Sequence, residues 1–301
     1  MTGLWNLTKR NFKLFFKDKG MFFSAMITPL ILLGLYAAFL ANVYRDSFAS
    51  GIPENFSVDE SLINGIVGGQ LISSLLAASC VTVAFCCNLI MVQDRVTGAV
   101  RDLTVTPVRK STLALAYFFG TLICTVIVCF AAFGVCMIYL VATDAWYFSF
   151  GDIMLILLNI LLLSFFGTVF SSIINVFLTT QGQMSAVGTI VSAGYGFLCG
   201  AYMPLASFSD GLRNVISCLP GTYGTCLIRN AVMNGVYEEM PKAGFPAEVV
   251  DKIRDSIDCN FYFFGKKLEI STLYVIFIAS ILVLLGIYIL LNFLRKNERR
   301  K

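Results

Sequence analysis

Residues 61–92 read SLINGIVGGQLISSLLAASCVTVAFCCNLIMV, 32 residues without one Asp, Glu, Lys or Arg. A helix needs roughly 20 apolar residues to cross a bilayer, so this stretch alone points to a membrane. Five further windows share the property: 21–43, 113–142, 153–178, 185–203 and 271–294. Every charged residue of the 301 falls outside these six windows. Charged residues make up only 13% of the chain, against about 25% in an ordinary soluble domain. The expected fold is an all-α polytopic membrane protein with six transmembrane helices, built as a single transmembrane domain over 1–301.

Basic residues set the expected orientation. With both termini cytosolic, the inside comprises 1–20, 93–112, 179–184 and 295–301. Those segments hold 14 of the 22 Lys and Arg but only 4 of the 18 Asp and Glu. Short basic loops stay on the cytosolic side. The net charge of +4 is then topological rather than the footprint of a nucleic-acid partner.

Next to the quoted stretch lies a short charged loop, 93–112. Asp94 can cap a helix, and Val96, Ala99, Val100 and Leu103 recur at helical spacing as one apolar face. Arg95, Arg101 and Asp102 point elsewhere. Pro107 disfavours helix at Thr106, so the spacing predicts a helix from Asp94 to Leu103. Arg109 and Lys110 lead back to the bilayer. The preceding run is about 48 Å long as a helix, more than the hydrocarbon core needs. It is expected to project into the cytosol and carry the loop helix with it. An apolar ridge with a charged rim suits a groove on another protein; an ordinary charged linker is the alternative.

Residues 4–19 read as an amphipathic helix lying along the membrane, within an interfacial segment 1–20. Lys9, Arg10, Lys13 and Lys17 form one face, and Leu4, Trp5, Leu7, Phe12, Leu14, Phe15 and Phe16 cover the rest. A basic stripe opposite Trp, Phe and Leu suits the headgroup boundary. The first apolar run is too long for a signal peptide, and no small-residue cleavage pattern follows it.

Several chemistries are excluded. The chain has no His, so neither a Ser-His nor a Cys-His dyad can form. Seven of its ten Cys lie inside apolar windows, where Cys behaves as a small hydrophobe. Cys218, Cys226 and Cys259 lie outside them, which leaves room for one bridge, and no Cys pair has zinc-site spacing. No window carries a mid-membrane charge of the kind ion-coupled carriers use. No P-loop is present: Gly98 lacks the following Gly-Lys-Ser/Thr, and Gly265-Lys266-Lys267 lacks the upstream Gly. Active transport then needs an ATPase on another chain.

The loop resembles the cytosolic loop of the type-2 permeases of the ABC transporter superfamily. That pattern runs acid, base, Gly, Leu and then small-Pro-hydrophobic, and Asp94, Arg95, Gly98, Leu103, Thr106-Pro107 and Val108 match it. Asp94 stands for the commoner Glu, and Ala99-Val100 for the usual Thr-Leu. Phe197-Leu198-Cys199-Gly200-Ala201-Tyr202-Met203-Pro204-Leu205 is similar to the family's Phe-Leu-Ser-Gly-x-x-x-Pro stretch. Leu219-Pro220-Gly221-Thr222-Tyr223, followed by Leu227-Ile228-Arg229, is similar to its Pro-x-Thr-Tyr…Leu-Arg segment. The resemblance implies two six-span permeases, identical or homologous, above two ABC ATPase subunits that hold the ATP and Mg. This chain would bind no cofactor. The interfacial helix (Trp5, Lys9, Arg10, Phe12, Lys13) and the coupling loop (Asp94, Arg95, Gly98, Val100, Arg101, Asp102, Leu103, Thr106, Pro107) would meet the ATPases, with the path near the second and fifth spans.

On those spans Gly65, Gly69, Gly196 and Gly200 have the spacing of close helix packing. Gly69, Gln70, Gly196 and Gly200 are the candidates for lining a path. Asn88, Asn159 and Asn175 are expected mainly to bond neighbouring helices. Region 204–270 is expected outside, its first half a re-entrant helical hairpin broken at Pro220. One face of that hairpin would carry Leu212, Val215, Ile216 and Leu219. Its second half is expected to hold an amphipathic surface helix at 246–258, with Pro204, Pro220 and Tyr223 as outer-gate candidates. The expected function is the permease of an ATP-driven exporter in a bacterial cytoplasmic membrane. Its cargo would be amphiphilic: a drug, an antimicrobial peptide or a lipid-linked compound. A non-transporting relay subunit and an ion-efflux permease are the alternatives.

Overall fold

Side-chain oxygens mark many of the helix starts. The computed structural model describes residues 2–36, 38, 59–105 and 108–298. Helix α1 is Thr2–Lys17. Asp18 then turns the chain by 76° and caps α2, Lys19–Leu35, accepting from the Met21 amide at 3.1 Å. Asp59 caps α3, Glu60–Val96. Helix α4 is Ala99–Val105 and α5 is Lys110–Ala142. Reciprocal capping boxes, Ser149 with Asp152 and Thr180 with Gln183, start α6, Phe150–Phe177, and α7, Gln181–Leu198. A 3-10 turn at Leu205–Ser207 leads to α8, Asp210–Ser217, and α9, Pro220–Glu239. Then follow α10, Ala247–Ser256, an antiparallel hairpin of β1, Phe261–Phe263, and β2, Lys266–Leu268, and finally α11, Ile270–Glu298.

Among the described residues, four helices are long and apolar enough to cross a membrane: α3, α6, and the segments Ser111–Ala142 of α5 and Ile270–Phe293 of α11. They match four of the six expected windows. Helices α1 and α2 add a fifth only if the bent pair counts as one broken span. The expected first span is therefore represented by α2, and residues 37 and 39–43 of its window lie outside the described residues. The expected fifth span is α7, whose first turns carry Gln181, Gln183 and Ser185. The fold is all-α apart from the short hairpin, with four to five candidate spans where six were expected.

Helix α3 is the hub. It is apolar on all sides and buried from Leu62 to Asp94 with few breaks, as such a helix must be. It packs against α2, α5, α6, α7 and α9. Gly167 of α6 lets the two backbones close up: a Cβ there would lie 2.9 Å from the Cys80 carbonyl oxygen. The intramembrane amides mostly tie helices together. Asn88 Nδ2 donates to Ser171 and Ser172 Oγ, each at 3.0 Å, and Asn175 Nδ2 donates to the Asn88 carbonyl at 3.4 Å. Asn159 Nδ2 reaches the Leu227 carbonyl at 3.4 Å.

The surplus length of α3 lies at the opposite end from the one expected. Gly224 of α9 faces Leu163 and Phe277, and Phe277 lies seven residues into α11. Arg229, about 7 Å further along α9, reaches Ser74 at 3.2 Å. Residues 60–73 thus rise about 20 Å beyond the level at which α11 begins. There Ser61 Oγ bonds Tyr147 OH at 2.8 Å and Gly65 faces the Tyr147 ring. At the loop end, by contrast, α3 is pinned to its neighbours. In the same region Val250 of the expected surface helix is buried, with Val249, Ile253 and Ile257 packed beside it. Of the face expected at 212–219, only Ile216 is buried; Leu212, Val215 and Leu219 are exposed.

The packing of α9 on the α5–α6 loop depends on Gly235, where a Cβ would collide with the Tyr147 carbonyl oxygen. Gly235→Ala should lower stability by about 1–3 kcal/mol, the usual cost of overpacking. Gly188→Ala, where nothing lies within 4 Å, should be neutral or stabilising by up to about 1 kcal/mol. Thermal unfolding of both in detergent tests the contrast.

Candidate functional site

Three charged side chains and a tyrosine gather where the 93–110 loop leaves the bundle, at its basic end. Arg10 of α1 grips Asp94 of α3 with both arms, Nη1 to Oδ2 at 2.7 Å and Nη2 to Oδ1 at 3.1 Å. Tyr117 OH of α5 donates to the same Oδ2 at 2.6 Å. The hydrogen bond to Asp94 raises the Arg10 pKa further above its ordinary value, so the guanidinium stays charged at any working pH. Next door, Arg95 Nη1 donates to the carbonyls of Asn175, Val176 and Leu178 at 2.8, 3.1 and 3.2 Å. A cation is favourable there, because the last carbonyls of α6 lack helical partners. Four helices, α1, α3, α5 and α6, are therefore tied at one end by two consecutive residues.

This placement corrects the expected loop. Asp94 does not cap the loop helix; it sits in the last turn of α3 and is buried. Gly98 (φ +83°) takes the left-handed turn after Thr97, and its carbonyl accepts the Arg101 amide at 2.8 Å. The helix runs over Ala99–Val105, not from Asp94 to Leu103. Its apolar ridge also faces the other way: Val100 and Leu103 pack against the bundle. Arg101 and Asp102 are exposed, and Val105 is 87% exposed. Thr106 and Pro107 lie outside the described residues.

Helix α1 lies against α5. Thr8, Asn11 and Phe15 face inward and are buried, with Leu7 and Phe12 packed beside them. Gly120 of α5 makes room, since a Cβ there would lie 2.9 Å from Asn11 Cβ. Trp5, Lys9 and Lys13 are exposed at four-residue spacing. Arg10, grouped with the basic stripe from the sequence, leaves it for Asp94. The exposed parts of α1 and α4 thus belong to two pieces held by one knot.

Residues 50–295 match the family described as ABC-2 family transporter protein. The chain belongs to that family. It is a transporter permease membrane subunit, an integral membrane protein without ATPase activity of its own, and ABC-2 permeases generally pair with ABC ATPase subunits. No curated protein matches the chain.

In this permease the path candidates are packed inside the protomer. Gly69 faces Met233 and Val232, Gly196 faces the Tyr202 ring, and Gly200 (φ +71°) faces Leu205. Gln70 is buried, its Oε1 lacking a hydrogen-bond partner among the described residues. Of the gate candidates, Pro220 opens α9, Pro204 precedes the 3-10 turn, and Tyr223 is buried with its ring 4.8 Å from that of Phe261. Cys218, Cys226 and Cys259 are unbridged.

A second polar centre escaped the sequence reading except as part of a motif. Arg229 is fully buried. Its Nη2 donates to the Gly200 carbonyl at 2.8 Å and to Ser74 Oγ at 3.2 Å, and its Nη1 lies 3.4 Å from Asp258 Oδ2. The same carboxylate oxygen accepts the Leu205 amide at 2.6 Å. One cation thereby joins α3, the turn after α7, α9 and the segment before β1. Nothing local marks Arg229 as buried, since its partners lie 29 to 155 residues away.

The knot at the basic end should behave as a coupled pair. In a double-mutant cycle of Arg10→Ala and Asp94→Asn, the two changes should be non-additive by about 0.5–3 kcal/mol, read from thermal unfolding in detergent. Either single variant should also speed proteolysis at Lys9 and Lys13. Additive effects with unchanged proteolysis would mean that the ion pair does not hold α1.

Proposed function

We propose that this permease is the transmembrane part of an ATP-driven exporter, with α4 and α1 receiving the stroke of separate ATPase subunits. The observation that carries the reading is the knot. The exposed rim of α4 (Arg101, Asp102, Val105) and the exposed stripe of α1 (Trp5, Lys9, Lys13) hang from one rigid junction of helix ends. Force on either surface is delivered to α3, the hub of the bundle. Differential contact with the ATP-bound and ATP-free partner then shifts the permease between two states. In this reading Asp94 and Arg95 transmit, and Arg101, Asp102, Thr106 and Pro107 belong to the contact region.

The rest of the proposal rests on the sequence windows and the charge bias between them. Helices α2 and α7 serve as the first and fifth of six spans, α8 and α9 form a re-entrant hairpin at the outer side, and both termini are cytosolic in a bacterial plasma membrane. Helix α7 exposes Ser185, Ala186, Thr189, Ile190 and Ala193 along one face. That face is made mostly of small residues and allows close approach of another helix. A second permease copy, identical or homologous, facing it would enclose a path for an amphiphilic cargo such as a drug, an antimicrobial peptide or a lipid-linked compound.

Reconstitution with the ATPase partner tests this. Arg101→Glu combined with Val105→Asp leaves the knot intact and should lower ATPase recruitment or drug-stimulated hydrolysis by about tenfold or more, roughly 1.4 kcal/mol. Transport at the parental rate would remove α4 from the coupling route. ATPase activity indifferent to every amphiphile, with no accumulation in vesicles, would favour a relay subunit over an exporter.

A further inference from the structure

The turn between β1 and β2 breaks a local rule. Its two central residues, Phe264 (φ +48°) and Gly265 (φ +80°), both lie in the left-handed region. Two-residue hairpin turns of this kind favour Asn, Asp or Gly at the first position, and a bulky aromatic there is strained. Among the described residues, internal packing offsets little of the strain. Phe264 is 62% exposed, and its ring meets that of its neighbour Phe263 at 4.8 Å. Strain combined with exposure is found where a residue serves something outside the chain.

The hairpin's two faces differ. Cross-strand partners share a face: Phe261 with Leu268, Phe263 with Lys266, and Tyr262 with Lys267. The Tyr262–Lys267 face is tied to α10, Tyr262 OH to Asp255 Oδ1 at 2.9 Å and Lys267 Nζ to Asp251 Oδ1 at 3.1 Å. Asn260 Nδ2 adds bonds to both carboxylates. The other face runs from Phe261, buried on Tyr223, out to Phe263 and Lys266 at the tip. The base is fixed, and the tip presents two aromatic rings beside a lysine.

Depth decides the occupant. Leu268 is one residue from the start of α11, the last membrane-crossing helix. Tyr223, on which Phe261 rests, adjoins Gly224, which faces Phe277 in the second turn of α11. The hairpin therefore lies at the level where α11 enters the bilayer. Aromatic rings and snorkelling lysines are the side chains that fit this zone. We propose that the β1–β2 tip anchors the permease to the leaflet at its acidic end, with Phe263 and Phe264 among the acyl-chain ends and Lys266 on a lipid phosphate. The anchor would hold α10 at a fixed height above the membrane and the Arg229–Asp258 centre near its surface. It stands on the membrane reading alone and is independent of export.

The test uses the full chain in vesicles of phosphatidylcholine and phosphatidylglycerol with brominated acyl chains. Trp5→Phe and Trp146→Phe remove the native indoles, and Phe264→Trp reports on the tip. Its emission should be quenched by the brominated lipid and shielded from acrylamide. Lys266→Glu should weaken that quenching in mixed vesicles more than in phosphatidylcholine alone. Quenching by acrylamide and not by lipid would place the tip in water and overturn the proposal. Shielding from both would mean that protein, such as a second copy of the chain, covers the tip, and would overturn it equally. Phe264→Asn relieves the strain and should leave unfolding in detergent unchanged or shifted upward. A marked loss there would make Phe264 a folding residue and also contradict the proposal.

Discussion

One carboxylate organises the basic end of this protein. Asp94 takes three hydrogen bonds, two from Arg10 and one from Tyr117, at a position that is almost fully buried. A carboxylate in such a place is costly unless its lone pairs are satisfied, so the two helices that satisfy it are not free to separate from α3. Arg95 extends the same logic to α6 by covering its last carbonyls. The bundle ends here in a junction rather than in four independent helix termini, and α4 begins three residues later from the turn at Gly98.

The far end is built on a different principle. There α3 runs beyond the level at which α11 begins, with Gly65 facing the Tyr147 ring and Ser61 bonded to Tyr147. Helix α9 closes on the Tyr147 carbonyl at Gly235, and the buried cation Arg229 reaches Ser74. A charge on one segment with partners on three others specifies their mutual position more than it stabilises them. Between the two ends the core is apolar with local polar bonds, such as those of Asn88. Movement of α3 is thus constrained by charge at Asp94 and Arg95, by the Arg229 contact at Ser74 and by van der Waals packing elsewhere.

Much of this was legible in the sequence. Windows without charge at 61–92, 113–142, 153–178 and 271–294 correspond to α3, α5, α6 and α11 within a few residues, because a bilayer forbids what those windows lack. Helix α10 and the amphipathic character of α1 were also visible as periodicity. Other features were not, for physical reasons. Asp94 suits a helix N-cap locally, and only Arg10, 84 residues away, shows that it is a buried partner instead. The ridge of Val100 and Leu103 has the same spacing whether it faces an ATPase or its own bundle. The direction in which α3 overshoots depends on α9 folding back beside it. The hairpin at 261–268 is six paired residues, too short to show a two-residue period.

Asp94 ties α1 to the end of α3 from which α4 leaves, and α1 and α4 are therefore expected to move as one body. The most direct measurement is the distance between spin labels at Lys9 and Asp102 in the assembled permease–ATPase complex, with and without ATP. The account predicts one distance distribution in both states for the parent and a broadened one for Asp94→Asn. A shift of several ångströms on ATP binding in the parent, unaffected by Asp94→Asn, would contradict it.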